Sequence, residues 1–145
     1  MKAADQFHVG LVVEDLALAQ AELTAVFGHE WSAELGASVN VTLSTGDTVL
    51  DLRNVYSTTT PRLELVRRIP GTLWDATGLH HLGYWSDDVK GDSAELARRG
   101  YQVEAVGKRP DGTPYWAFHR SGTGPLVELV SRELQPVLEQ LWEAS

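Results

Sequence analysis

The sequence predicts an α+β fold built from two tandem β-α-β-β-β halves followed by a C-terminal helix, and three observations predict it. The strand-like stretch Phe7-His8-Val9-Gly10-Leu11-Val12-Val13 is written again as Leu79-His80-His81-Leu82-Gly83-Tyr84-Trp85, with His81 at the position of His8, 73 residues on. The same shift lays Asp88 on Asp15 and Ala94-Glu95-Leu96 on Ala21-Glu22-Leu23, so a similar helix follows each strand. Later, Leu63-Glu64-Leu65-Val66 is answered by Val127-Glu128-Leu129-Val130 at a slightly shorter interval. An internal repeat constrains the fold before any single motif does. Here each copy supplies one histidine and one glutamate.

In the first half, Phe7 to Val13 is an apolar, β-branched run that reads as a strand. Alternation sends His8, Gly10 and Val12 to one face and Val9, Leu11 and Val13 to the other. Asp15 reads as a helix N-cap and Gly28 as the stop, with Leu16, Ala19, Leu23 and Val26-Phe27 at helical spacing between them. Trp31 to Leu35 is a short strand candidate. Val39 to Ser44 and Thr48 to Val55 flank Thr45-Gly46-Asp47 as a hairpin. Thr58 to Pro61 breaks the chain, and Arg62 to Arg68 is the last strand of this half, with Arg62, Glu64 and Val66 sharing a face.

The linker Ile69 to Gly78 is too apolar to be loose, so Leu73 and Trp74 should pack. The second half repeats the plan. A strand covers Leu79 to Trp85, with His81, Gly83 and Trp85 on one face. A helix runs from near Asp88 to Gly100, and strands follow at Tyr101 to Val106, Tyr115 to His119 and Leu126 to Ser131. Pro110-Asp111-Gly112 marks a turn. After Arg132, Leu134, Val137, Leu138 and Leu141-Trp142 form an apolar helical stripe, expected to dock outside the domain or on a second subunit.

Composition narrows the function. A chain of 145 residues, 43% hydrophobic and 22% charged, is an ordinary globular protein with room for a sizeable core. No apolar run is long enough for a membrane span, and residues 1–6 lack the apolar core of a signal peptide, so a cytoplasmic location and no membrane partner are expected. A net charge of −8, with basic residues only in scattered pairs, argues against nucleic acid. Without cysteine there is no disulfide, no thiolate nucleophile and no thiolate metal ligand.

A carboxylate between leucines or valines in a buried strand is costly unless it is paired. If the neighbours of Glu64 and Glu128 face the helices, both glutamates face the other side of their sheets, as do His8 and His81. Two modules related by a pseudo-twofold axis would bring the four to one point. Such a set of imidazoles and carboxylates suits one divalent metal ion: Zn, Ni, Co, Mn or Fe. A lone strand histidine is usually a packed or surface residue, and a lone glutamate usually faces solvent. Four at matched repeat positions are harder to explain that way. His80 is the rival of His81, but it falls out of register with His8 and is expected to point to the helix side.

These pairs, His8-Val9-Gly10 with Leu63-Glu64-Leu65 and His81-Leu82-Gly83 with Val127-Glu128-Leu129, resemble the vicinal oxygen chelate superfamily. That group includes glyoxalase I, methylmalonyl-CoA epimerase, extradiol dioxygenases and the fosfomycin and bleomycin resistance proteins. The resemblance runs from Phe7 to about Arg132. It implies one domain over residues 1–145, with module 1 about 5–69, module 2 about 79–132 and the helix about 133–144. It further implies a curved mixed sheet around a cleft holding one metal. The His/Glu/His/Glu pattern looks most like glyoxalase I. By that likeness the protein is a metal-dependent isomerase or lyase in which chelated vicinal oxygens stabilise an enediolate while Glu128 or Glu64 moves a proton. A small-molecule binding or resistance protein using the same cleft is the alternative, and an extradiol-type dioxygenase a more distant one. Trp85, Trp116, Phe118, Arg53 and Arg62 are the candidate substrate-pocket residues. A small-molecule substrate and a homodimer are expected.

Overall fold

The computed structural model describes residues 1–143. The expected end of the C-terminal helix at Ala144 lies outside them. Strand β1 (Gln6–Val13) leads to Asp15, whose carboxylate accepts the Leu18 N–H at 3.0 Å and opens helix α1 (Leu16–Phe27). Gly28 closes it at φ 76°, a left-handed conformation that glycine adopts without a Cβ penalty. Strands β2 (Leu35–Leu43) and β3 (Gly46–Tyr56) form the long hairpin, and β4 (Leu63–Arg67) ends the first half. The second half gives β5 (Gly78–Ser86), α2 (Val89–Arg98, capped by Asp88), β6 (Gln102–Lys108), β7 (Pro114–Arg120) and β8 (Leu126–Ser131). A short 3₁₀ turn over Arg132–Leu134 then enters α3 (Gln135–Glu143).

The strand order is β1-β4-β3-β2-β6-β7-β8-β5, and pairing of β5 back to β1 closes the sheet into a barrel. Each half is thus a four-stranded sheet whose first strand runs parallel to its last, β1 with β4 and β5 with β8. The halves join at two antiparallel seams, β1 with β5 and β2 with β6. Closure removes the exposed edges that each half alone would present.

Alternation divides the apolar residues between inside and outside. Leu16, Ala19 and Leu23 of α1 pack on Leu11, Val13, Val55 and Leu65, while Val89 and Leu96 of α2 pack on Ala117 and Leu129. The opposite face of the same strands supplies an interior cluster of Val12, Val41, Val66, Ala105, Phe118 and Leu126, into which the linker inserts Trp74. Leu65 and Leu129 are fully buried beneath the helices, so Glu64 and Glu128 beside them point into the barrel.

Two local expectations are corrected, and a third is narrowed to one of its alternatives. Trp31 to Leu35 is not a strand: Trp31 makes one isolated bridge to Ser57, because its indole packs with the α1 cluster and donates to Thr24 Oγ1, and β2 begins at Leu35. His80 does not point to the helix side. Gly10 pairs with His81 while Leu11 pairs with Leu79, so His80 is the extra residue of a β-bulge, and bulges re-aim side chains. Helix α3 docks on its own chain. Trp142 lies beside the rings of Phe7, Tyr56 and Trp85. Leu134 and Leu138 of the stripe face the interior cavity, while Val137 is exposed. No helix among the described residues is long and apolar enough to cross a membrane.

Candidate metal centre

His8 and His81 enter the barrel from the two strands of the central seam, and each lies over a glycine of the opposite strand. A Cβ on Gly10 would fall 2.0 Å from His81 Cε1, and one on Gly83 would fall 2.0 Å from His8 Cε1. This gives the repeated His-x-Gly a physical meaning: each module's glycine makes room for the other module's imidazole. The rings cross edge to face with Nε2 atoms 2.9 Å apart. Glu64 Oε1 stands 3.4 and 3.1 Å from the Nε2 atoms of His8 and His81, and Glu128 Oε1 stands 3.2 and 3.3 Å from the same two. One ligand atom from each of the four residues lies within 4.8 Å of every other, so the group could hold a metal ion.

The four are almost fully buried, with fractional exposures of 2% for His8, 0% for His81 and 7% for each glutamate. Burying two carboxylates without a cation is costly. In the metal-free protein protons supply the balance. Burial opposes charge on His81, but the Glu128 and Glu64 carboxylates outweigh it and hold the imidazole up at about 9. His8 is raised against burial in the same way. The carboxyls of Glu64 and Glu128, which burial alone would raise, are pulled below the ordinary range by the two imidazoles.

Bracing is unequal. Asn54 Nδ2 donates to Glu64 Oε2 at 2.7 Å, fixing that carboxylate with Oε1 toward the histidines. His80 Nε2 lies 2.9 Å from the Leu73 carbonyl, and its Nδ1 lies 2.8 Å from His81 Nδ1. A carbonyl only accepts, so His80 Nε2 carries the proton and Nδ1 is the acceptor. His81 therefore donates through Nδ1 and turns Nε2 to the centre. By contrast, His8 Nδ1 and Glu128 Oε1 are buried without a hydrogen-bond partner among the described residues. Glu128 Oε1 is close to both imidazoles yet not aligned for hydrogen bonding, an arrangement that suits convergence on a shared cation. Two hard anionic oxygens and two imidazole nitrogens also balance a divalent charge, so the residues fit the metal expected from the sequence.

A cavity of about 330 Å³ opens over the centre. Glu64 and Glu128 line it, whereas the two histidines form the floor behind them. Trp116 and Phe118 are in its wall, together with Trp74, Tyr56 and Asn54, and Leu134 and Leu138 at the C-terminal end. Three other sequence candidates lie elsewhere. Trp85 stacks on Phe7 at 3.7 Å, Arg53 pairs with Asp51 at 3.0 Å, and Arg62 sits 3.8 Å over the Trp142 ring while donating to the Ser57 carbonyl. Sequence reasoning passed over Asn54 and Tyr56. Their alternation with Leu52 on the hairpin strand was the available signal, because Tyr56 pairs directly with Glu64. Burial and the nearby carboxylates keep the Tyr56 phenol protonated well above its ordinary range.

Comparison with known proteins places this architecture. Residues 7–118 match the family model described as the Glyoxalase/Bleomycin resistance protein/Dioxygenase superfamily. No curated protein sequence matches. Among solved structures, methylmalonyl-CoA epimerase from Mycobacterium tuberculosis is 16% identical, with 90% of this chain and 92% of that chain covered at a TM-score of 0.62. A Streptomyces coelicolor methylmalonyl-CoA epimerase variant in complex with 2-nitronate-propionyl-CoA is 19% identical, with 88% and 93% covered at 0.61. A hypothetical protein from Bacillus halodurans is 14% identical at 0.57, with 87% and 92% covered. At these identities the structural likeness speaks for the fold alone. The family match spans well over half the chain, and the chain belongs to the Glyoxalase/Bleomycin resistance protein/Dioxygenase superfamily.

Proposed function

We propose that the protein is a metal-dependent isomerase or epimerase that moves a proton at a carbon next to a carbonyl of a small molecule with two adjacent oxygens. The observation that carries this reading is the convergence of His8, Glu64, His81 and Glu128 within 4.8 Å beneath a cavity that the two glutamates face. A divalent ion held there (Zn, Ni, Co, Mn or Fe) would act as a Lewis acid on the substrate oxygens and lower the cost of removing the adjacent C–H proton.

The chain's own residues divide the remaining work. His8, His81 and Glu64 would serve as fixed ligands, the last two braced by His80 and Asn54. Glu128 lacks such a brace, and its Oε1 has no hydrogen-bond partner among the described residues, which supports it as the carboxylate that leaves its position to take the proton. It would return that proton to the neighbouring carbon, or, in an epimerisation, release it to solvent while the opposite face of the same carbon takes a proton from solvent, so that atoms balance without a redox partner. Tyr56, protonated and on the cavity wall, is placed to donate a hydrogen bond.

The test begins with metal analysis of purified wild type and His81→Ala: stoichiometric metal in the first and none in the second is expected. Glu128→Gln should keep most of the metal and lose solvent deuterium exchange into a bound α-hydroxyketone. Ligand binding that survives both chelation and Glu128→Gln, with no exchange in wild type, would overturn the enzyme reading in favour of sequestration. Substrate-dependent oxygen uptake by an iron-loaded form would favour oxygenation.

A further inference from the structure

The walls of the cavity carry a second message about what enters it. Apart from Glu64 and Glu128, the polar side chains lining it are Asn54, Tyr56 and Tyr115; no lysine, arginine or histidine faces it among the described residues. The Asn54 amide is already engaged by Glu64. Three guanidinium groups outside the lining have partners of their own. Arg62 is bonded to the Ser57 carbonyl and stacked on Trp142. Arg109 donates to the Pro114 carbonyl at 2.7 Å and to Glu133 at 3.0 Å, and it lies over the Tyr115 ring. Arg53 is paired with Asp51.

The centre itself offers an anion little attraction. Two glutamates and two neutral imidazoles around a divalent ion sum to zero formal charge, and the whole chain carries −8. A carboxylate or phosphate brought into this cavity would be desolvated without a cationic partner, which is costly. The apolar wall is preformed. Trp74, Trp116 and Phe118 pack edge to face with ring centroids 5.3 to 6.0 Å apart. Trp74 and Phe118 are buried, leaving the half-buried Trp116 as the ring that can meet a ligand. Trp116 pairs across the sheet with Gly107, where a Cβ would fall 2.3 Å from the indole. The missing side chain lets the indole lie across the neighbouring strand as a flat platform.

We propose that the cleft takes an uncharged, largely apolar molecule, its adjacent oxygens toward Glu64 and Glu128 and a flat or hydrocarbon portion against Trp116, and that it rejects carboxylates and coenzyme A thioesters. The orientation rests on the metal reading given above; the charge and apolarity of the ligand rest on the walls. The S. coelicolor epimerase variant, by contrast, is in complex with 2-nitronate-propionyl-CoA, whose coenzyme portion carries several phosphates.

Two probes of one skeleton test the inference: 1-phenyl-1,2-propanedione, which is neutral, and benzoylformate, in which a carboxylate replaces the acetyl group. Binding to zinc-loaded protein is read by calorimetry, with propionyl-CoA as a third ligand. The dione is expected to bind at least about tenfold tighter than either anion, although a carboxylate is intrinsically the better zinc ligand. Trp116→Leu should weaken the dione several-fold with zinc content unchanged. Equal or tighter binding of benzoylformate or propionyl-CoA overturns the inference, and so does failure of the dione to bind at millimolar concentration. A repeat on zinc-free protein separates the two readings. Dione binding that is indifferent to zinc, with the same preference over the anions, would remove the chelation reading and keep the substrate class. A zinc-dependent preference for benzoylformate would do the reverse.

Discussion

Gly10→Ala would put a methyl group where the His81 imidazole lies. The added Cβ would stand 2.0 Å from Cε1, 2.3 Å from Nε2 and 2.4 Å from Nδ1. Ordinary carbon contacts begin near 3.5 Å, so the ring would have to retreat by about 1.5 Å. It has nowhere to go, since His80 holds its Nδ1 at 2.8 Å and Phe118 packs edge-on with centroids 4.9 Å apart. Forcing a methyl group into such packing costs about 1–3 kcal/mol, reduced by a few tenths because alanine restricts the unfolded chain. For a chain of this size the expected fall in melting temperature is roughly 3–10 °C. The effect on metal should be far larger, because ligand distances tolerate only about 0.2 Å. Zinc affinity should fall by more than about 100-fold, beyond the usual cost of losing an outer hydrogen bond to a ligand. Gly107→Ala is the matched control: its Cβ would crowd the Trp116 indole at 2.3 Å, with a similar loss of stability and zinc retained. Zinc binding by chelator competition and thermal unfolding by circular dichroism read both. Wild-type zinc affinity in folded Gly10→Ala would refute the crossed-imidazole geometry.

Four further outcomes are expected. His80→Phe removes the acceptor for His81 Nδ1 and should weaken zinc about 10–100-fold, with partial recovery in His80→Gln, whose carbonyl can accept; identical affinities in all three proteins would dismiss the relay. Zinc must displace the proton that His81 holds up to about 9, so apparent affinity should rise with pH from 6.5 and level off above about 9, and a flat profile would contradict this. In the metal-free protein the raised His81 contributes stability fully present below 6.5 and lost as pH climbs through about 9, whereas the depressed glutamates contribute stability lost on acidification below 4.5; urea melts across that range should peak between these limits. Ser93→Ala strips the buried His119 Nε2 of its partner at 2.7 Å and should cost about 1–3 kcal/mol while leaving zinc binding intact, since this pair only pins α2 to β7.

The interior parity of His8, Glu64, His81 and Glu128 was legible because alternation is a local property of a strand and needs no knowledge of its partners. The Asp15 and Asp88 caps and the Gly28 stop were legible for the same reason, since each acts within one helical turn. The two helices and most strands follow from these signals. Register across strands is a different matter. Nothing local in Leu79-His80-His81 announces that Leu11 will skip a residue to pair with Leu79, so only the pairing of β1 with β5 turns His80 from a rival ligand into a brace. The Asn54 contact to Glu64 likewise depends on β3 lying beside β4.

The repeated module, the faces of its strands and the four residues that share the interior can be read from the chain's local pattern. It also supplied the glycines Gly10 and Gly83, though not their purpose. The tertiary structure alone decided that the two seams close a barrel, that each glycine seats the opposite histidine, and that α3 covers its own chain. It also decided that Arg53, Arg62 and Arg109 are each engaged by partners within the chain, none of the three lining the cavity. The physical reason is range. Propensity, capping and alternation are set by neighbours a few positions away, whereas charge neutralisation and ring packing depend on residues brought together from distant parts of the chain.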